Sequence, residues 1–323
     1  MRKIAGWVLM IAVATNLTYF LANAFLDPRA NYLQLRPPRT PEQIERSLAQ
    51  YNLSPTTPVL ERWWHWINGI VLHWNWGASP VGESVNGQIA FRIGVSAQLV
   101  LLSTILSTVI GISLGVYTAS RQYRLADRFN QGLSIITLNI PMAVAGLVVV
   151  LMAISANRAL GATLLFVAGA ESPNVSGFWP LLFDRLQHLA LPTVALVVIS
   201  YAGTHLTQRS LLLDNINSDY IRMARAKGLT RSEAIRRHGL RTALIPVATS
   251  IAFTIPGLFT GAVITETIFA WRGMGQYFVQ TISKNDVHGA VAVAAFGALM
   301  TAIGAILADI AIVALDPRVR VTS

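Results

Sequence analysis

Residues 218–240 read SDYIRMARAKGLTRSEAIRRHGL, from Ser218 to Leu240. This polar stretch lies between two long apolar segments, and its reading decides the fold. Ser218 stands where a side chain caps a helix, and Asp219 suits the positive first turn that follows. Tyr220, Met223, Ala224 and Lys227 then fall at helical i, i+3, i+4, i+7 spacing. Gly228 fits the left-handed position that ends a helix, with Leu229 as the apolar residue that packs back. Thr230-Arg231-Ser232-Glu233 has the form of a capping box and restarts a second helix. A helix–Gly–helix specified at every position is expected to be presented to a partner. The plainer alternative is a basic loop that only fixes topology.

The surrounding composition says where this island sits. Of 323 residues, 53% are hydrophobic and only 12% charged, and the mean hydropathy is +0.51. Soluble domains carry about 25% charged residues, so the chain reads as an integral membrane protein. There is no cysteine, hence neither a disulfide nor a thiolate metal site. The net charge of +10 does not point to nucleic acid, because the cations sit largely in short loops between apolar spans and no aromatic-basic interleaving occurs.

Six spans are expected: Ile4 to Phe25, then about 93–118, 132–154, 189–207, 243–269 and 289–315. Each can cross a core roughly 30 Å thick. Ala22-Asn23-Ala24 resembles a signal-peptide cleavage site, but the apolar run before it is longer than the usual 7–15 residues, which favours an uncleaved helix. Alternation from an inside N-terminus puts 119–131, 208–242 and the C-terminal tail on the cytoplasmic side. The cations agree: Arg2 and Lys3, then Arg121, Arg124 and Arg128, eight from Arg209 to Arg241, and Arg318 and Arg320. The region between the first two spans is long and polar. Thr40-Pro41-Glu42-Gln43 reads as a capping box with Pro in the first turn, and Thr57-Pro58 opens a helix running to about Leu72. Trp63, Trp64, Trp66, Trp74 and Trp76 crowd this part, as tryptophan does at a membrane boundary. The expectation is an external cap on the membrane surface, with a small packed lobe as the other arrangement. By domains, 1–26 is an N-terminal membrane helix, 27–90 the external loop, 91–315 a five-helix core carrying the polar island, and 316–323 a tail.

Pro141, Pro192, Pro246 and Pro256 fall in or at the edges of spans. They are expected to bend or break helices around a translocation path, or else only to shape packing. Asn139, Pro141, Pro256 and Glu266 are the candidate path residues. Glu266, near the outer end of its span, is expected to reach interfacial water, and Asp309 is the other ionisable group in a span. Neither a Walker A loop nor an HExxH motif occurs. The six histidines are scattered, and His65 and His73 read as interfacial residues rather than metal ligands. No catalytic residue and no metal site are expected.

The run DYIRMARAKGLTRSEAIRRHGLRTALIP at 219–246 resembles the cytoplasmic EAA loop of ABC importer permeases, and within them the dipeptide/oligopeptide/nickel branch. Aligned on Gly228, Arg222, Met223 and Ala224 fall at the Glu-Ala-Ala positions. His238, Leu240 and Arg241 fall at the Ile, Leu and Pro positions. The peptide branch departs from the general motif in this same manner. Further likenesses are His188-Leu189-Ala190-Leu191-Pro192-Thr193, the run from Gly261 to Gly275, and the closing Leu315-Asp316-Pro317-Arg318-Val319-Arg320. They cover about residues 90–320. Residues 27–90 depart, with Asn75-Trp76-Gly77 where the branch has Gly-Asp-Leu-Gly.

This resemblance implies an all-α, polytopic membrane protein with the six-helix fold of type I ABC importer permeases, sited in a bacterial inner membrane with both termini cytoplasmic. It implies a permease subunit that moves di- or oligopeptides inward and is not an enzyme by itself. The implied partners are a homologous second permease subunit, two ATPase subunits (or one fused), an extracytoplasmic substrate-binding protein and membrane lipid, with no nucleic acid. ATP and Mg would sit on the ATPases and no cofactor on this chain. Tyr220, Arg222, Ala224, Lys227, Gly228, Leu229, His238 and Leu240 would couple the chain to the ATPase. Nickel or another small solute is the alternative cargo. A secondary transporter and a non-transporting scaffold are the rival classes, and scarce charge within the spans argues against the first.

Overall fold

The computed structural model describes residues 2–33, 35–248, 250 and 262–315. Among them the chain is helical, and the isolated bridge between Ala78 and Ser84 is the sole strand-like pairing. The helices are α1 (Arg2–Phe25), α2 (Ala30–Leu33), α3 (Pro41–Gln50), α4 (Val59–His73), α5 (Val85–Ser120), α6 (Leu125–Leu138), α7 (Met142–Leu160), α8 (Phe178–Ile216), α9 (Asp219–Ala226), α10 (Arg231–Ala234), α11 (Val263–Ile268), α12 (Met274–Ser283) and α13 (Val287–Leu315). A π-helical turn, Ile235–Gly239, follows α10 and runs into helical residues 240–248. Helices α1, α5, α7, α8 and α13 are each long and apolar enough to cross a membrane.

Two expectations about the spans change. The run at 132–154 is two helices, because Asn139 closes α6 and Pro141 caps α7. Proline lacks the N–H that would continue the ladder and disfavours α geometry in the residue before it. Pro192, by contrast, breaks nothing: it lies inside the 39-residue α8, held by its buried neighbours Leu189, Leu191 and Ala195. The span at 243–269 is helical over 240–248, with Pro246 inside that stretch, and again at α11. Pro256 lies outside the described residues.

The chain divides into two compact units. The first comprises Met1–Ala97, Phe259–Thr267 and Arg272–Ala302, and the second Gln98–Leu258, Ile268–Trp271 and Ile303–Ser323. In the first, α1 leaves Ile4, Val8, Leu9, Val13 and Leu17 exposed, as a lipid-facing stripe does, and buries Thr15, Tyr19 and Ala22 on its other side. Against that buried side packs a lobe built from Tyr32, Ile44, Leu48, Leu53 and Trp66, with Val287 and Val291 of α13. Tyr19 stacks on Trp66 at 4.6 Å between centroids, a pair worth about 1 kcal/mol beyond its buried area. Trp63 Nε1 donates to Asn16 Oδ1 at 2.6 Å. So the 27–90 region is a packed lobe. The inner faces of α3 and α4 close on α1 and α13, while Leu60, Trp64, Val71 and Leu72 of α4 stay exposed. The capping box at Thr40 is present in both directions.

In the second unit α5 and α8 pack with almost no side chain between them. A Cβ on Gly111 would lie 2.8 Å from the Tyr201 carbonyl, and one on Gly115 would lie 2.7 Å from Gln208 Cβ. This G-x-x-x-G pair sets the backbone separation as small residues do between membrane helices. Ala153 of α7, Leu191 and Ala195 of α8, and Phe269 form a second apolar contact.

Candidate functional site

The polar island forms the helix–turn–helix its residues dictate. Helix α9 ends at Lys227, and Gly228 follows at φ +93°. The Gly228 N–H donates to the Arg225 carbonyl at 3.0 Å and the Leu229 N–H to the Ala224 carbonyl at 3.3 Å. Together they make a Schellman closure. Leu229 packs back on Ile221, Ala224 and Ala234. The next helix starts with the expected box: Glu233 N–H donates to Thr230 Oγ1 at 3.3 Å, and Thr230 N–H to Glu233 Oε2 at 3.0 Å. The Thr230 hydroxyl and N–H hold the Glu233 carboxyl below the usual carboxylate range. Ser218 differs from expectation. It occupies the capping position, but its hydroxyl donates to the Asn215 carbonyl at 2.7 Å and caps nothing.

The faces of α9 also differ from the expected grouping. Ile221 and Ala224 point inward, while Tyr220, Arg222, Met223 and Lys227 are exposed. Tyr220 ties its hydroxyl to the Asn215 side chain. The helix therefore offers an outer face of an aromatic, a thioether and two cations over a two-residue apolar keel. That keel rests on Ala234, and Ile235 carries the contact inward to Leu212 and Ile216 of α8, Ala119 of α5, and Ala243. Gly239 sits in the joint, where a Cβ would be 3.4 Å from Ile221 and 3.6 Å from Leu212. The π-turn exposes His238 and leaves Leu240 half-buried. Such single-turn bulges recur at functional sites, and here the bulge joins the island to the long helices.

Two buried polar links brace those helices, and the sequence reading singled out neither. Arg209 of α8 grips Asp127 of α6 bidentately at 2.7 and 2.8 Å, and the Tyr123 N–H adds a third bond at 2.8 Å. The Arg209 guanidinium holds the Asp127 carboxyl below its ordinary range. One helical turn earlier, His205 is fully buried between Thr118 of α5 at 3.0 Å and Ser134 of α6 at 2.7 Å. The Thr118 hydroxyl also reaches the Leu114 carbonyl at 2.8 Å. With its one proton spent there, Thr118 accepts from Nε2–H while Ser134 donates to Nδ1. His205, Arg209 and Leu212 recur at helical spacing along α8, which is the signal in the sequence that could have exposed this seam.

The path candidates among the described residues have different surroundings. Asn139 is exposed at the end of α6 and turns its amide back to the Ile135 carbonyl at 2.7 Å. Pro141 is exposed beside it. Glu266 is fully buried rather than facing interfacial water. Its carboxylate accepts from Ser96 Oγ at 2.6 Å and from the Gln276 N–H at 2.9 Å, while Ser96 accepts from the Met274 N–H at 2.7 Å. Gly273 is required there, since a Cβ would come within 2.2 Å of the Glu266 carboxylate. His65 and His73 form no metal cluster, and among the described residues no group of three metal-ligating side chains exists.

Residues 111–321 match the family described as the binding-protein-dependent transport system inner membrane component. The chain belongs to this family. It is thus a multi-pass membrane component of a binding-protein-dependent transport system. It is similar along 322 residues, at 39% identity, to the oligopeptide transport system permease protein OppB of Mycobacterium tuberculosis, covering 99% of this chain and 98% of that one. The oligopeptide permease AppB of Bacillus subtilis is 34% identical over 290 residues, 89% of this chain and 88% of its own. The dipeptide permease DppB of Escherichia coli is 30% identical over 303 residues, 87% and 86% respectively. The match begins at Gly111 and contains the whole α9–α10 island.

Proposed function

We propose that this chain is one membrane-spanning half of an ABC importer that carries di- or oligopeptides into a bacterial cell, driven by ATP hydrolysis on separate subunits. Helix α9 is its coupling helix. Tyr220, Arg222, Met223 and Lys227 meet a groove on the ATPase, and Gly228 and Leu229 hold the turn behind them. Ala224, within the keel, acts on the partner only through α9. His238 and Leu240 lie on the following turn. The carrying observation is a pair of apolar clusters, one of Ile221, Ala224 and Ala234 and one joining Ile235 to α5 and α8, linked by the consecutive residues Ala234 and Ile235. When paired ATPases close on ATP, a helix clamped in each is displaced, and a keel of this kind passes that displacement to the long helices as a rigid-body movement. The Asp127–Arg209 and His205 links keep α5, α6 and α8 moving together.

The orientation that follows puts both termini, the α5–α6 loop and the island in the cytoplasm, in keeping with the cations at Arg121, Arg124, Arg128 and from Arg209 to Arg241. The lobe then faces an extracytoplasmic binding protein. A homologous second permease completes the pathway, and ATP and Mg stay on the ATPases. The test is co-reconstitution in nanodiscs with the neighbouring gene products, followed by ATPase assay against added binding protein and peptides. Peptide-dependent stimulation is expected. An assembly in which no ATPase subunit associates would overturn the coupling assignment, and stimulation by nickel alone would overturn the cargo.

A further inference from the structure

The second unit holds a cleft of about 280 Å³ between α5, the end of α6, α8, Val247 and Ser250. Among the described residues its wall has seven hydroxyls (Thr104, Ser107 and Thr108 of α5, Ser200, Thr204 and Thr207 of α8, and Ser250) and no charged group. The rest is Leu138, Ile199, Gly203 and Val247.

Four of these hydroxyls differ from the other three in that they are not turned back into their own helix. Serine and threonine in a membrane helix ordinarily bond back to a carbonyl one turn earlier, which removes an unpaired group from an apolar setting. This chain does so repeatedly: Thr104 to Val100 at 2.6 Å, Ser107 to Thr104 at 3.1 Å, Ser250 to Pro246 at 2.9 Å, Thr118 to Leu114 at 2.8 Å and Thr301 to Gly297 at 2.9 Å. Thr108, Ser200, Thr204 and Thr207 do not, and among the described residues none of them has a hydrogen-bond partner. Ser200, Thr204 and Thr207 recur at i, i+4, i+7 and so form one stripe along α8. The methyl of Thr204 lies toward Gly111, where the helices touch.

We infer that this cleft is a contact site for the main chain of the peptide in transit, with Thr108, Ser200, Thr204 and Thr207 as its hydrogen-bonding wall. The inference rests on the peptide-importer reading above. A hydroxyl both donates and accepts, so it pairs equally with a peptide N–H and a peptide carbonyl. An uncharged wall neither holds nor repels a charged side chain. Such a surface replaces the water shed by each passing amide without selecting sequence, and it leaves selection to the binding protein. A fixed carboxylate or guanidinium would instead trap cargo of opposite charge.

The test uses the complete importer in proteoliposomes, with tetra-alanine and its fully N-methylated counterpart as cargo. The variant combines Thr108→Val, Ser200→Ala, Thr204→Val and Thr207→Val, which removes four hydroxyls at nearly constant volume. Each lost main-chain bond lowers uptake about two- to tenfold, so tetra-alanine uptake falls at least tenfold while the N-methylated peptide changes far less. A companion variant with Ser at the three threonine positions keeps the hydroxyls and retains wild-type uptake. Wild-type uptake by the Val/Ala variant would overturn the inference, as would an equal loss in the Ser variant. Loss of the second permease subunit on purification would also overturn it, by making the stripe a subunit interface. Failure of the wild-type importer to carry either peptide would instead sink the cargo assignment itself.

Discussion

Replacing Gly228 isolates the turn from everything else in the coupling segment. A Cβ built there meets no atom within 4 Å, yet the backbone stands at φ +93°. The penalty for a side chain is therefore conformational and not steric, about 1–2 kcal/mol for a left-handed L-residue. That shifts the local equilibrium of the turn about 5- to 30-fold against its native form. Two consequences can be separated. Gly228→Ala and Gly228→Leu should behave alike, because there is no room to run out of. Gly228→Asn should be milder, because asparagine tolerates this region. Gly228→Val should be worst, since a β-branched residue is the most strongly excluded from it. The assay is ATPase activity of the reconstituted importer with and without loaded binding protein, alongside hydrogen exchange at the Gly228 and Leu229 amides. Expected are normal membrane insertion, faster exchange at those two amides, and stimulation that falls in the order Gly, Asn, Ala, Val. A Val variant with normal stimulation, or a Leu variant much worse than Ala, would refute the reasoning.

Other perturbations probe the braces. Asp127→Asn breaks the bidentate bond to Arg209 and leaves that guanidinium poorly paired, costing about 3 kcal/mol; a lowered melting temperature in detergent checks this. Gly273→Ala forces the Glu266 carboxylate off Ser96, an overpacked site expected to destabilise by about 3 kcal/mol, whereas Ser96→Ala should cost less. Asp286, which caps α13 through the Gly289 N–H at 2.9 Å, has its carboxyl pushed up to about 6 by burial, with Glu83 adding and Lys284 opposing. A raised folded-state value means the protonated form is favoured. Its contribution is therefore full below about pH 4 and lost as pH rises through 6. Thermal stability should fall between pH 5 and 7.5, and Asp286→Asn should flatten that fall.

The island was legible because its signals are local. Gly228, Leu229 and the Thr230–Glu233 pair each fix a turn within six residues, and the backbone follows them. Span positions were legible from apolar runs, but their ends were not. Hydropathy does not register that Asn139 and Pro141 cut one run in two, nor that α8 reaches from Phe178 to Ile216. The inward face of α9 was not legible, because helical spacing alone does not say which stripe is buried; Ile221 and Ala224 form it. Glu266 was misplaced for a different reason. Its partner Ser96 is 170 positions away, and no local pattern announces a pairing of that range. The same holds for His205, whose two partners lie on α5 and α6.

The central claim is that the outer face of α9 is seated in an ATPase subunit. The chain contains no cysteine, so single-cysteine chemistry on it is unambiguous. Met223 is 61% exposed on α9 and Trp74 is 69% exposed on the lobe. The decisive measurement is crosslinking of Met223→Cys and, separately, Trp74→Cys in the assembled importer with a short bifunctional thiol–amine reagent. The account predicts that Met223→Cys joins to an ATPase subunit, with loss of binding-protein stimulation, and that Trp74→Cys does not join to it. An ATPase adduct from Trp74→Cys, or none from Met223→Cys in an intact complex, would contradict it.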